Sequence, residues 1–587
     1  MAVSPTNAEI AQRLKEMRTL MEFAGEPFFK FMAYERAAET IENAPPLAEM
    51  VAGGRLQELP GVGKTIAGRI AELCATGTCD YLEELRARYP STLIDVLGVQ
   101  GVGMKTAQML YEKAGIASLP DLERALAAGA LDALPRLGKK SIDNIKRGLL
   151  AVRGRAQRTP LGIALPLARE IIAYLAERTP AADLTAAGSV RRNEPTVGDI
   201  DIVCTADDAA AVIGAFTAWE RAEAVLAEGG TKASIWLAGG LQIDLRVLPA
   251  AVYGNLLQHF TGSREHNIQL RELAVRLNRR VSENGIVDLT DDTTRFCRTE
   301  AEVYAALGLA YIPPEMRLGI GEIEAARSGT LPDVVALEDL RGDFHMHSTW
   351  SDGADTLEAM IAAAAARGYA YHAISDHSWG GGGRGLDPAR LREQRAAVRA
   401  LDERYGIHTF CAAEVDIQPD GSLAYDDATL AELDLVIASV HTAFNLSAEA
   451  MTARLIRACE NPYVTIIGHP TGRNVDGFPG YAFDHDAVFA AAARTGTALE
   501  IDGQPNRLDL PSALARRAQA FGVTFSCDSD AHRVGDLANV AYAVGQARRG
   551  WLTASQVLNA RPLAGVLAFL DTKRAGIPHA APAEDSG

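Results

Sequence analysis

The 587-residue chain contains no apolar run of about 20 residues, which excludes a transmembrane helix. Its opening stretch, Met1-Ala2-Val3-Ser4-Pro5-Thr6-Asn7, lacks a charged segment followed by an apolar core, so no signal peptide is expected. Cysteine is scarce and odd in number, with seven scattered residues. That argues against a disulfide framework and for a reducing compartment, the cytoplasm. Cys74 and Cys79 lie close together, but no histidine or second cysteine pair completes a zinc site. Positive charge is also in deficit, with a net charge of −17. The deficit is uneven: residues 101–200 carry 15 Lys+Arg against 10 Asp+Glu, whereas residues 341–587 carry 21 against 30. Attraction to phosphates is screened over about 8–10 Å, so a basic island grips nucleic acid even on an acidic protein. The length suggests about three or four domains.

The most telling stretch that is present is Gly188-Ser189-Val190-Arg191-Arg192, followed by Gly198-Asp199-Ile200-Asp201. Two acids one residue apart on an apolar run project from the same face of a strand. Carboxylates held that close repel unless a cation lies between them. The Gly-Ser turn offers N–H groups and a hydroxyl to a phosphate, and the arginines add charge. Phosphate grip plus metal-holding carboxylates is equipment for phosphoryl or nucleotidyl transfer. A third acid, Asp244, sits in the apolar strand Leu241–Val247, where an unpaired carboxylate is costly.

Upstream, residues 8–50 read as amphipathic helices, with Ile10, Leu14, Met17, Leu20 and Met21 at helical spacing. A short element then recurs: Leu59-Pro60-Gly61-Val62-Gly63-Lys64, Val99-Gln100-Gly101-Val102-Gly103-Met104-Lys105, and Leu134-Pro135-Arg136-Leu137-Gly138-Lys139-Lys140. Each glycine turn opens a helix, so free backbone N–H groups and the positive helix end face outward. Such a turn binds a phosphate without reading a base. The third is the least regular, because Arg136 replaces the first glycine.

Ten of the twelve histidines lie beyond residue 340, at expected strand ends. Asp343-Phe344-His345-Met346-His347 and Ser351-Asp352-Gly353 come first. Ile374-Ser375-Asp376-His377, Ala413-Glu414-Val415-Asp416, Ser439-Val440-His441, Ile467-Gly468-His469-Pro470 and Ser529-Asp530-Ala531-His532 follow. Imidazole and carboxylate suit Mn²⁺, Zn²⁺ or Fe²⁺ better than Ca²⁺, and strand ends of a parallel barrel are where such ligands converge. His372, His408, His485 and His579 fall outside the pattern. Arg473 and Arg507 lie near these segments, suited to a scissile phosphate or to a salt bridge.

Residues 5–318 resemble family X DNA polymerases, on Gly188-Ser189-x-Arg191-Arg192, Gly198-Asp199-x-Asp201, Asp244 and Phe260-Thr261-Gly262-Ser263. The resemblance implies that Asp199, Asp201 and Asp244 are catalytic and hold Mg²⁺ or Mn²⁺, with Asp244 nearest the primer. It implies that Gly188, Ser189, Arg192, His259, Phe260, Gly262, Asn267 and Arg271 bind the nucleotide and its template partner. For DNA it implies Lys30, Tyr34, Gly61, Gly63, Gly101, Gly103, Lys105, Gly138 and Lys139. Two departures stand out: His259 replaces a tyrosine before Phe260, and Arg69 replaces the lysine nucleophile of the family's lyase. A guanidinium stays protonated and is a poor Schiff-base nucleophile. The histidine array resembles the polymerase and histidinol phosphatase (PHP) domain. That resemblance implies that His345, His347, Asp352, His377, Glu414, His441, His469, Asp530 and His532 hold up to three Mn²⁺ or Zn²⁺ ions.

The combined resemblance is to bacterial family X polymerases with a C-terminal PHP domain. It implies a multidomain chain: α-helical helix-hairpin-helix domains (1–80 and 81–155), an α+β nucleotidyltransferase palm (156–255) and a thumb (256–320). A linker (321–340), a distorted (β/α)7 PHP barrel (341–573) and a disordered tail (574–587) complete it. The expected activities are gap-filling synthesis in DNA repair and metal-dependent 3′→5′ exonuclease, with AP endonuclease and 3′-phosphatase as further family activities. The expected partners are gapped or primer-template DNA and dNTPs, for a monomer in the cytoplasm and nucleoid that needs no membrane. Two other readings are a PHP phosphoesterase whose polymerase half only delivers DNA ends, which the intact Asp199, Asp201 and Asp244 disfavour, and a non-catalytic DNA-end scaffold.

Overall fold

A computed structural model describes residues 5–575 except 43, 100, 136, 140, 143, 147, 150–157, 239 and 380–384. Arg136 and Lys140 of the third glycine turn, and the tail from 576, therefore lie outside the described residues. The chain divides into two compact units, Met1–Gln157 and Arg158–Gly587. Among the described residues no helix is long and apolar enough to cross a membrane, and none of the seven cysteines is disulfide-bonded.

The first unit is helical. Its opening helix, Asn7–Phe23, starts at a capping box in which Thr6 and Glu9 satisfy each other's backbone N–H groups. Ile10, Leu14, Met17, Leu20 and Met21 are all buried, as their spacing predicts. The three glycine turns share one hydrogen bond: Val62 N–H to Leu59 C=O, Val102 N–H to Val99 C=O, and Leu137 N–H to Leu134 C=O. Gly61 and Gly101 take φ of +80° and +93°, the left-handed region open to glycine at little cost. Gly63 and Gly103 then cap the helices Lys64–Thr76 and Met104–Ala114.

The second unit opens with a short antiparallel pair, β1 (Thr159–Pro160) and β3 (Thr196–Val197). Its first sheet comprises β2 (Ala182–Ala186), β4 (Asp199–Thr205), β5 (Ala222–Glu228), β6 (Lys232–Leu237) and β7 (Leu241–Leu248), in the order β2-β4-β7-β6-β5. Alternation decides the faces: Leu241, Ile243, Leu245 and Val247 are buried, whereas Gln242, Asp244 and Arg246 point the other way. The helices Leu161–Arg178 and Ala209–Thr217 share the apolar core with this sheet.

Next come the helices Tyr253–Thr261 and Arg264–Arg276 and the antiparallel sheet β8 (Arg279–Ser282), β9 (Gly285–Asp288) and β10 (Thr294–Arg295). This region is tied to the first sheet by buried charge. Glu300 accepts two hydrogen bonds from Arg191 (2.9 and 2.7 Å) and one from the fully buried Arg317 (2.5 Å). Although burial opposes it, Arg317 and Arg191 hold the Glu300 carboxyl down at about 2. The stretch 321–340 is packed rather than loose. Glu322 is buried against His266 at 2.8 Å, and Val335 N–H donates to Leu552 C=O.

The last region is a six-stranded parallel sheet in sequence order: β11 (Tyr371–Ile374), β12 (His408–Asp416), β13 (Leu435–Ser439), β14 (Ile466–Ile467), β15 (Ala498–Asp502) and β16 (Phe525–Asp528). Residues 343–347 close it irregularly. On one side Ala373 N–H and Ser375 N–H donate to Asp343 and Met346 carbonyls; on the other, His347 N–H donates to Ala531 C=O. The result is a distorted barrel with seven staves. Arg317→Met removes one of the two guanidinium partners of Glu300, so the full chain should lose about 3 kcal/mol of stability. Urea unfolding followed by tryptophan fluorescence measures this, and a loss below about 1 kcal/mol would contradict the role given to the network.

Candidate functional site

Two clusters form in the second unit, one of acids at the start of β4 and within β7, the other of acids and imidazoles at the ends of the barrel strands. In the first, the parallel register of β4 and β7 sets Asp201 directly beside Asp244 and Asp199 beside Gln242. Gln242 donates to both Asp244 oxygens at 2.9 Å. Gly188 must lack a side chain here: a Cβ would lie 2.1 Å from Asp201 Oδ2, and φ is +57°. Burial, with Asp199 and Asp244 adding negative charge, pushes Asp201 up to about 8. Three carboxylates this close form a donor set suited to hard divalent cations.

Asp199 and Asp201 line a cleft of about 520 Å³ together with Gly188, Ser189, Arg192, Glu194, His259, Phe260, Gly262 and Asn267. Arg192 donates to Thr261 C=O at 2.5 Å, joining the phosphate-type turn to the Phe260–Ser263 segment. Asn267 is held by Gln258 at 2.9 Å and donates to His259 C=O at 2.8 Å. Burial lowers the His259 pKa, which favours a neutral ring beside Phe260. Asp244 is set beside Asp201 by the strand register and is not among the residues lining this cleft. Arg271 is not brought into it; its Nε donates to Asn267 C=O at 3.1 Å, and it opens on a separate hollow with Ile268 and Val275.

In the second cluster, Glu414 is the hub. Its Oε2 lies 3.0 Å from His377 Nδ1, 3.4 Å from His345 Nε2 and 3.6 Å from His347 Nε2. Its Oε1 lies 2.8 Å from His469 Nε2 and 3.2 Å from His441 Nε2. Asp530 approaches His347 Nε2 at 3.2 Å, and Asp352 approaches His377 Nε2 at 3.3 Å and His532 Nε2 at 3.5 Å. All nine residues expected from the strand-end pattern thus come together. Three overlapping groups offer ligand atoms within 4.8 Å of one another: His347, Asp352, His377 and His532; His345, His347 and Glu414; and His377, Glu414 and His441. His345 Nε2 and both His347 nitrogens are buried without a hydrogen-bond partner. Unsatisfied imidazole nitrogens converging with carboxylates fit transition-metal ions. Burial opposes it, but Glu414 and Asp352 push His377 up to about 11, which shows how strongly the clustered carboxylates favour positive charge here. His469 and Asp530 hold φ of +27° and +47°, strained values of the kind kept at functional sites.

The residues missed from sequence are the acids behind the ligands. Glu500 accepts from His345 Nδ1 at 2.6 Å, and Asp416 from His441 Nδ1 at 2.6 Å. Such contacts fix which ring nitrogen faces a metal. The signal was present: Ala498-Leu499-Glu500-Ile501-Asp502 carries acids in an apolar strand. Arg507 reaches within 3.7 Å of Asp502 and 4.0 Å of Asp530, while Arg473 is spent on the carbonyls of Arg507 and Leu508.

In the first unit, Gly61, Gly63, Gly101, Gly103, Lys105, Gly138 and Lys139 are all exposed. Lys30 pairs with Glu26 at 3.0 Å. Tyr34 is buried, and the Arg69 guanidinium sits 5.2 Å from its ring and 3.6 Å from that of Tyr81.

Sheet, cleft and histidine barrel together define a nucleotidyltransferase joined to a metal-dependent phosphoesterase. Family models match at residues 5–79 (helix-hairpin-helix domain), 93–149 (SAM-like helix-hairpin-helix tandem), 256–318 (DNA polymerase beta thumb) and 343–468 (PHP domain). The chain is 36% identical over 567 residues to the "DNA polymerase/3'-5' exonuclease PolX" of Bacillus subtilis (strain 168), covering 96% of this chain and 99% of that protein. It is 28% identical over 345 residues to DNA polymerase lambda of Arabidopsis thaliana (53% and 62% covered), and 30% over 239 residues to a "Probable phosphatase" of Syntrophotalea carbinolica (39% and 95%). The chain belongs to the bacterial family X DNA polymerases that carry a C-terminal PHP domain.

A cation binds the ionised carboxylate, so below pH 8 it must displace the Asp201 proton. Mg²⁺ affinity of this cleft should therefore fall about tenfold per pH unit below 8. Titration calorimetry at pH 6, 7 and 8, with Asp201→Asn as the blank, reads this directly. A difference between the two proteins that does not change with pH would contradict it.

Proposed function

We propose that this enzyme fills short gaps in DNA during repair and removes 3′ nucleotides with a separate centre in its PHP domain. The observation that carries the reading is the pair of acid clusters in one chain, Asp199–Asp201–Asp244 on one sheet and the Glu414-centred array in the barrel.

In the palm, Asp199 and Asp201 would hold Mg²⁺ or Mn²⁺ with Asp244. Such ions lower the pKa of a primer 3′-hydroxyl and neutralise a triphosphate. Asp244, held by Gln242, would face the primer end. Ser189 and Arg192 would hold the incoming dNTP phosphates, Gly262 would leave room for the sugar, and Asn267 would reach the base edge. Arg271 would meet the template strand from outside the cleft. The exposed glycine turns and Lys105 and Lys139 would track the DNA backbone without reading sequence.

In the PHP domain the nine ligands would hold Mn²⁺ or Zn²⁺, which supply Lewis-acid stabilisation for phosphodiester hydrolysis. Glu500 and Asp416 would fix the tautomers of His345 and His441. Arg507 would steady the scissile phosphate. The similarity to a probable phosphatase supports 3′-phosphatase activity, and AP endonuclease belongs to the same phosphoester chemistry. Lyase activity is not expected, because Arg69 stays protonated between two tyrosine rings. The enzyme would act as a monomer in the cytoplasm and nucleoid.

Asp199→Ala should cut primer extension by about three orders of magnitude and leave 3′ degradation intact; His345→Ala should do the reverse. Both are read on one labelled primer-template with and without dNTPs. Extension surviving Asp199→Ala would overturn the palm assignment, and degradation surviving His345→Ala the PHP assignment.

A further inference from the structure

The turn that follows the phosphate-type motif is held by the PHP domain. The helix Val540–Arg549 leaves the segment that carries Asp530 and His532 and ends against residues 192–194. It grips that turn at three points. Gln546 Nε2 donates to Asn193 C=O at 2.8 Å, and Arg549 donates to Arg192 C=O at 2.6 Å and to Glu194 Oε2 at 2.9 Å. The fit is close: a Cβ on Gly545 would lie 2.7 Å from Asn193 Cγ. Asn193 itself has φ of +52°, a conformation that needs support from its surroundings.

The charges give this clamp a consequence for the nucleotide cleft. Glu194 lines the cleft beside Arg192, and its Oε1 lies 3.5 Å from the Arg192 guanidinium. Left with Arg192 alone, the Glu194 carboxylate would neutralise the cation that is to meet a triphosphate. Arg549 is almost fully buried and takes the other oxygen of the same carboxylate. Two guanidinium groups then share one carboxylate, and this trio keeps a net positive charge on the Arg192 side of the cleft.

We infer that Arg549 is a positioning residue for the polymerase reaction. By holding Glu194 it keeps Arg192 available to the incoming nucleotide, so the PHP domain completes the nucleotide site in cis. The inference rests on Arg192 binding the triphosphate, as proposed above.

The test uses the full-length enzyme with Arg549→Met, Arg549→Lys and the double variant Arg549→Met with Glu194→Gln. In Arg549→Met the KM for dNTP on gapped DNA, and the Kd for Mg²⁺–dATP in the DNA complex, should rise about tenfold. The kcat and the 3′→5′ exonuclease rate should stay within about twofold. Arg549→Lys should fall between wild type and Arg549→Met. The double variant should return towards the wild-type KM, because it removes the carboxylate that would otherwise collapse onto Arg192. Unchanged KM and Kd in Arg549→Met would overturn the inference, as would a KM rise that the double variant fails to reverse. Joint loss of polymerase and exonuclease would mark Arg549 as a purely structural contact and would also overturn it. Should the wild type bind dATP without extending primers, the palm reading fails while the dATP titrations still decide the clamp.

Discussion

Carboxylates set into apolar sheets are the constraint on which this molecule turns. Asp201 and Asp244 face each other in register, and Glu414 sits under five imidazoles in the second cluster. Burying a carboxylate costs several kcal/mol unless a cation or a protonated partner compensates. Both clusters therefore combine destabilising burial with an incentive to take up metal. Burial and the neighbouring acids raise the Asp201 pKa, and Glu414 and Asp352 raise that of His377 against its burial.

The surrounding structure holds these clusters in place with further buried charge, here arranged in ion pairs. Arg191, Glu300 and Arg317 lock the palm to the thumb, and His266, Glu322 and Tyr304 lock the thumb to the segment that enters the barrel. Arg548 bridges to Glu315 at 2.9 Å, and Arg549 to Glu194 at 2.9 Å. Palm, thumb and barrel consequently form one compact unit. Two centres of opposite chemistry are thus held in one body, and the helix Val540–Arg549 touches the surroundings of both.

Much of the site was legible because its chemistry constrains residue type. Few side chains hold a divalent cation, so acids and histidines at strand ends stand out, and all nine barrel positions converge around Glu414 and Asp352. The supporting acids Glu500 and Asp416 were harder to see, because an acid in an apolar strand can serve as a ligand, a ligand's partner or a salt bridge. The stretch 321–340, expected as a linker, makes contacts that its local pattern did not show: Glu322 meets a buried histidine and two backbone N–H groups, and Val335 enters the barrel core.

By itself the sequence determined the chemistry: the Asp-x-Asp strand, the glycine turns and the histidine array follow from local spacing and from what each side chain can bind. Only the tertiary structure decided how those parts depend on one another. Arg549 and Glu194 are 355 positions apart, and no periodicity or motif links them. Their pairing arises from the packing of one domain's helix on another domain's turn, a long-range contact that local pattern does not encode.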